Sequence, residues 1–356
     1  MRARLLITSG GFVGLVLAAS TAIAAPSAAP GYSLSVFAGP LSGSSAPDSI
    51  AVVGSDVFVG YGNNGAPDGS GGAMSTIAEY SSAGSLLGSL TLTGHNDGLR
   101  LDPSTGQLWA IQNEDANPNL VLINPKTLST SGPFPFSATP HGGGYDDVAF
   151  SSAGTFVSAS NPAHNPNTAP AIISANLTGG VVDVTGAVFA NASATVINPP
   201  GGTTTLNLQD PDSMIFAPNG QLVLDSQADH QLVFVSNVGT TSQSVSVLNL
   251  AGEVDDTEFG NGARQRLLVA DTAANIVYSV VGDFAAGTGT SAADLLGQVE
   301  QVNLTTGAFT PIVSGLNSPH GEAFFNIGVP EPASWALMLL GCGLVGGAIR
   351  RGRVTA

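Results

Sequence analysis

Cysteine is nearly missing from this 356-residue sequence. The one residue, Cys342, lies in a C-terminal apolar run, so no intramolecular disulfide can form. A secreted domain of this length can stand on its core alone, so export is not excluded. Charge is scarce at 10% of residues, and basic charge is scarcest. Between Ala25 and Val329 four basic residues (Arg100, Lys126, Arg264, Arg266) face 24 acidic ones. A nucleic-acid surface needs cations to displace counterions, which argues against that partner. No Walker motif, C-x-x-C pair or H-E-x-x-H is present. His141-Gly142-Gly143-Gly144 is similar to an oxyanion-hole glycine run, but no G-x-S-x-G elbow accompanies it. His164 and His230 fall on loops expected to be solvated.

What is abundant is turn chemistry: 46 glycines and 22 prolines, within a chain that is 43% apolar. That favours many short strands around a core, not disorder. Gln209–Leu250 reads as four strands: Met214–Ala217, Gln221–Asp225, His230–Ser236 and Ser244–Leu250. Pro218-Asn219-Gly220 is a strong turn between the first two. Six segments share a polar or acidic residue followed by a short apolar strand. They are PDSIAVV (47–53), NDGLRLD (96–102), YDDVAFS (145–151), PDSMIFA (211–217), VDDTEFG (254–260) and PHGEAFF (319–325). With Asp48, Asp97, Asp147, Asp212, Asp256 and His320 as marks, the spacings are 49, 50, 65, 44 and 64. The shorter ones suit a four-stranded blade, the longer ones a blade with a loop insertion such as Asn161–Pro170 or Ala285–Asp294. After each of the first five marks come a strand, a polar loop and another strand, as in DSQADH (225–230) and DTAAN (271–275).

The expected fold is therefore all-β, a β-propeller spanning 25–328. Six blades fit best, with five and seven as alternatives. A sandwich or solenoid does not explain an acid at the head of every repeat. Tyr32–Ala38 is an orphan strand, expected to close the ring by pairing beside the C-terminal strand and so remove open edges.

DTAANIVYSV and DSQADHQLVFV resemble the strand–loop–strand element of NHL-type propellers and of the wider gluconolactonase-like group. The resemblance covers about 45–325. The basic residue usual after the loop Asn of NHL repeats is missing.

The chain ends carry targeting signals. Met1–Ala24 has a basic start, an apolar stretch and an Ala22-Ile23-Ala24 cleavage site, the pattern of a secretory signal peptide. At the other end, Val329-Pro330-Glu331-Pro332 precedes an apolar run at 333–349 and then Arg350, Arg351 and Arg353. Such a run is at the short limit for a spanning helix, and the arginines hold its end in the cytoplasm. The segment 329–353 resembles the PEP-CTERM sorting signal, with its Pro-Glu-Pro box, helix and Arg cluster in order. The resemblance implies processing by an exosortase at the inner membrane, near Pro330, Glu331 and Pro332. It also implies a final place at the cell surface or in an exopolysaccharide or biofilm matrix.

In a propeller the first strand of each blade lines the channel, so residues of one phase form a ring. Asp48, Asp97, Asp147, Asp212, Asp256 and His320 would make that ring, with His95, Asp146, Asp255 and Glu322 close by in sequence. Converging carboxylates must protonate, stay hydrated or share a cation, and oxygen-rich sites suit Ca²⁺. The alternative is that each aspartate bonds backbone N–H groups of its own turn or of the next blade. Asn63–Gly72, rich in Gly, Asn and Asp, reads as a flexible loop before a Ca²⁺ loop. Three functions remain open: a surface propeller that binds a glycan or protein, a metal-dependent lactonase- or esterase-like hydrolase, or an acidic, Ca²⁺-crosslinked matrix component. No catalytic residue is assigned.

Overall fold

The computed structural model describes residues 25–189, 191–262 and 264–325. The expected signal-peptide site at Ala22 and Ala24 lies outside them. So do the sorting residues Pro330, Glu331, Pro332, Arg350, Arg351 and Arg353 and the apolar run at 333–349. No helix among the described residues is long and apolar enough to cross a membrane.

Strand pairing defines six antiparallel blades around one axis. Blade 1 holds Pro47–Val53, Asp56–Tyr61, Met74–Tyr80 and Leu86–Thr93, from the channel outwards. Blade 2 holds Asn96–Leu101, Leu108–Gln112, Asn119–Ile123 and Thr130–Pro135, and blade 3 holds Val148–Ser151, Gly154–Ser158, Pro170–Thr178 and Val181–Phe189. Blade 4 holds Pro211–Phe216, Leu222–Ser226, Gln231–Ser236 and Ser244–Asn249, close to the expected bounds. An extra hairpin, Ser193–Val196 with Thr203–Thr205, extends the outer edge of blade 4, its first strand running parallel to Ser244–Asn249. That hairpin, beyond the expected loop, lengthens the third repeat.

Blades 5 and 6 are interleaved. Thr257–Phe259 is the innermost strand of blade 5, but the chain then builds Arg264–Asp271 and Ile276–Asp283 in blade 6. It returns to blade 5 for Gly289–Ala293, Gln298–Val302 and Phe309–Ser314, and ends with Pro319–Phe325 as the innermost strand of blade 6. The DTAAN hairpin thus belongs to the sixth mark and not the fifth. Half of the expected loop insertion at 285–294 is instead the strand Gly289–Ala293.

The N-terminal strand Ser33–Ala38 does share a blade with Pro319–Phe325, but at its outer edge beside Ile276–Asp283. Its burial explains why: Ser33, Ser35 and Val36 are exposed and only Phe37 and Ala38 are buried, a pattern that fits an edge and not a channel wall. Ser27–Ala28 pairs with Phe309–Ser314 in blade 5, so the N-terminal segment ties both interleaved blades.

Each gap between neighbouring blades is filled by one cluster of buried side chains, six in all among the described residues. The second strand of blade 1 shows how the sequence achieves this. Val57, Val59 and Tyr61 pack towards blade 6 while Phe58 packs towards blade 2. Alternate residues point to opposite faces, so a strand covered on both faces is apolar throughout.

Candidate functional site

The innermost strands begin at one end of the channel, and four of them begin with a bulge. Register shifts fall between Pro47 and Ile50, Asn96 and Leu99, Pro211 and Met214, and opposite Pro319–Glu322. The second residue of each bulged segment, Asp48, Asp97, Asp212 or His320, faces the mouth. The strands superpose on Ile50, Leu99, Val148, Met214, Thr257 and Glu322. Two residues earlier stand Asp48, Asp97, Asp146, Asp212, Asp255 and His320.

Of the expected ring, Asp48, Asp97, Asp212 and His320 stand at this phase, and at the two Asp-Asp pairs the phase falls one residue earlier than expected. Asp146 and Asp255 are the mouth residues; Asp147 and Asp256 lie one step deeper. All eight approach one another closely enough to shape a single site: seven of them, the aspartates, line one cavity with Arg100. The cavity measures about 20 Å³, enough for one water-sized occupant. Gly98 and Gly321 let the strands come this close, since a Cβ on either would meet the carbonyl oxygen of Asp146 or Asp48 in the adjacent blade.

At the mouth, His320 Nδ1 lies 2.9 Å from Asp255 Oδ2 and 3.9 Å from Asp48 Oδ2. One ligand atom from each of Asp48, Asp255 and His320 fits within a 4.8 Å span, and so does one from each of His95, Asp97 and Glu114. His95 Nε2 stands 3.7 Å from Glu114 Oε1, while His95 Nδ1 is buried without a partner.

Burial and mutual repulsion raise four carboxyls at this rim. Burial, then the charge of Asp97, pushes Asp48 well above the usual carboxylate range, although its side chain keeps 20% of its surface in contact with solvent. Burial and neighbouring carboxylates do the same to Asp146, Asp212 and Glu114. Asp210, just outside the ring, is raised to about 6 by burial and then by Asp255 and Glu253. Burial opposes the charge of His320, but Asp255 and Asp48 outweigh it and lift its pKa to about 11. His320 is thus an imidazolium, the cation that the rim supplies for itself.

The deeper tier is structural. Asp147 accepts from the N–H groups of Val148 at 2.7 Å and of Met214 in the next blade at 3.0 Å. Asp256 does the same with Thr257 at 2.8 Å and Glu322 at 2.7 Å. These two meet the backbone-bonding alternative; among the described residues no such bond is made by the side chains of Asp48, Asp97 or Asp212. Arg100 reaches Asp147 at 3.0 Å, Glu258 at 2.9 Å and Asp256 at 3.6 Å, and closes the channel below the rim. Burial works against its charge, and the three carboxylates more than restore it. Asp256 is still raised to about 7, chiefly by burial.

Sequence reasoning missed Arg100, Glu258 and Glu114. The first two carried a signal, each standing three residues after an in-register aspartate, Asp97 or Asp255. Glu114 lies in a polar loop with no pattern to single it out. The other candidates dissolve. Asn63 is tied to Ser45, Met74 and Thr76, so its loop is braced by its own side chain. His141 is buried against the Gly144 carbonyl at 2.5 Å. His164 and His230 are exposed.

No protein-family model matches the chain, and no curated protein matches it. Similar solved structures exist. A protein of unknown function from Bacteroides caccae is 10% identical, with 79% of this chain and 86% of that chain covered and a TM-score of 0.48. A periplasmic gluconolactonase from Pseudomonas aeruginosa is 12% identical over 79% of this chain and 88% of that one, TM-score 0.42. Virginiamycin B lyase from Staphylococcus aureus is 10% identical over 84% and 89%, TM-score 0.41. The class stands on strand pairing: a six-bladed β-propeller with an acid-rimmed channel. No residue role is taken from these proteins.

Proposed function

We propose that this is an exported surface propeller whose channel mouth binds one divalent, oxygen-preferring cation such as Ca²⁺. The supporting observation is the Asp48–Asp255–His320 cluster, whose ligand atoms share a 4.8 Å span over a cavity that the ring aspartates line. Hard cations take several carboxylate oxygens, and a bound cation would relieve the repulsion among the rim carboxyls. With the cation in place, the mouth would present a binding surface for a glycan or a surface protein. The leader and the Pro-Glu-Pro tail support export, exosortase processing at the inner membrane and a final extracellular place.

A second reading is hydrolysis of a small ester or lactone. Asp210, with a pKa of about 6 beside the ring, favours it, because a base poised near neutrality can accept a proton. A cation would polarise the carbonyl. Melting curves with calcium and with chelator, followed by ester, lactone and glycan panels, separate these readings. A calcium shift with glycan binding supports the first, turnover lost on chelation the second. No shift with any divalent ion contradicts both.

A further inference from the structure

A cleft far from the mouth holds an arginine that no carboxylate neutralises. Arg266 lies on the second strand of blade 6, in register with Phe325, the last residue of the innermost strand and so at the far end of the channel. The cleft lies between the outer strand of blade 6 and the Ser81–Ser85 turn of blade 1. Ser35, Val36, Phe37, Ser82, Arg266 and Ser279 line it, and it offers about 130 Å³ open to solvent.

Three features mark it as a built site. First, among the described residues no carboxylate lies within 4.0 Å of Arg266, in a body where acids outnumber bases 24 to four. Second, the guanidinium is held in place: its Nη1 donates to the Ser82 carbonyl at 2.7 Å and its carbon sits 5.6 Å from the Phe325 ring centre. Its Nε is buried and has no acceptor. A buried N–H without an acceptor is costly, so the site is incomplete as it stands. Third, the hydroxyls of Ser35, Ser82 and Ser279 bond to no other described residue, and they add neutral donors around the same space.

We infer that this cleft binds an oxyanion group, a carboxylate or sulfate carried on a larger molecule. A guanidinium with its face on an aromatic ring leaves its in-plane N–H edge for two oxygens, the geometry that carboxylate and sulfate offer. Serine hydroxyls turn to donate to whichever oxygens remain. Val36, 56% exposed at the rim, leaves room for the bearer of the anion to continue outwards. The site is independent of the mouth, since it needs neither His320 nor a divalent cation.

Sodium sulfate and sodium glucuronate are titrated separately into the full chain by calorimetry, with sodium chloride at matched ionic strength as reference. One saturable site is expected for at least one oxyanion and none for chloride, unchanged by chelator. The tighter arm identifies the source, sulfate ester or uronate. Arg266→Lys keeps the charge and stem over Phe325 and is expected to weaken binding at least fivefold; Ser279→Ala weakens it severalfold. Arg266→Gln abolishes it, and should that variant misfold, the other two carry the test. Absence of saturable binding for both anions, or affinities unchanged in Arg266→Lys and Ser279→Ala, overturns the assignment.

Discussion

Arg100 and Glu258 occupy equivalent positions on the innermost strands of blades 2 and 5 and meet across the channel at 2.9 Å. In the other four blades this position holds Ala51, Ala149, Ile215 and Ala323. One cation thus serves Glu258, Asp147 and Asp256 together and divides the acid mouth from the rest of the channel.

Arg100→Met is expected to leave three carboxylates around a buried gap and to cost about 3–5 kcal/mol, the usual cost of breaking a buried pair from one side. Arg100→Met with Glu258→Leu should recover part of that loss. Chemical denaturation of the single and double variants at pH 7 checks both.

Stability without metal should fall as pH rises. Asp256 and Asp210 hold protons in the fold up to about 7 and about 6, above their unfolded values. Their contribution is fully present below pH 4 and is lost as pH climbs through those folded values. His320, raised to about 11, adds a fall that begins near its unfolded value of 6.5. Melting temperatures measured with chelator from pH 5 to pH 8 should therefore decline, and calcium should flatten the decline.

Glu322 sits where the other blades place Ile50, Leu99, Val148, Met214 and Thr257, and among the described residues its buried carboxylate has only the Thr290 hydroxyl beside it and no well-formed hydrogen bond. Burial pushes its pKa well up. Glu322→Met is expected to stabilise by about 1–3 kcal/mol at pH 8, where an unsatisfied buried acid is most costly, and by much less at pH 5. Denaturation at the two pH values reads the difference; its own N–H bond to Asp256 is unaffected.

The blades were legible because each inner strand begins with a polar residue and each strand covered on both faces is apolar. Register was less legible at YDDVAFS and VDDTEFG, where two adjacent aspartates compete for one phase. Only the pairing of Val148 with Val157 and of Thr257 with Ser291 puts Asp146 and Asp255 at the mouth. The exchange of strands between blades 5 and 6 was not legible at all. A hairpin such as Arg264–Asp271 with Ile276–Asp283 looks the same whichever neighbour completes its sheet. The charge network was hidden because Arg100 and Glu258 are distant in sequence and each reads alone as a surface residue.

That register makes a prediction of its own. Asp255→Asn should weaken calcium at least tenfold and, by taking away the main partner of the His320 charge, shrink the fall of melting temperature with pH. Asp256→Asn should lower the melting temperature, because Asp256 meets Arg100 and two backbone N–H groups. Parallel calcium titrations and melts on the two neighbours check the assignment of roles.

The channel-mouth cation is tested most directly by calorimetric titration of calcium at pH 7 in two buffers of different ionisation enthalpy. His320 holds a proton there, so a cation that takes its place must release that proton. The expected result is one saturable site with proton release that is smaller in His320→Gln and is not abolished, because the raised rim carboxyls also give up protons to the cation. Heat without saturation, or binding that releases no proton and survives Asp255→Asn unchanged, would contradict it.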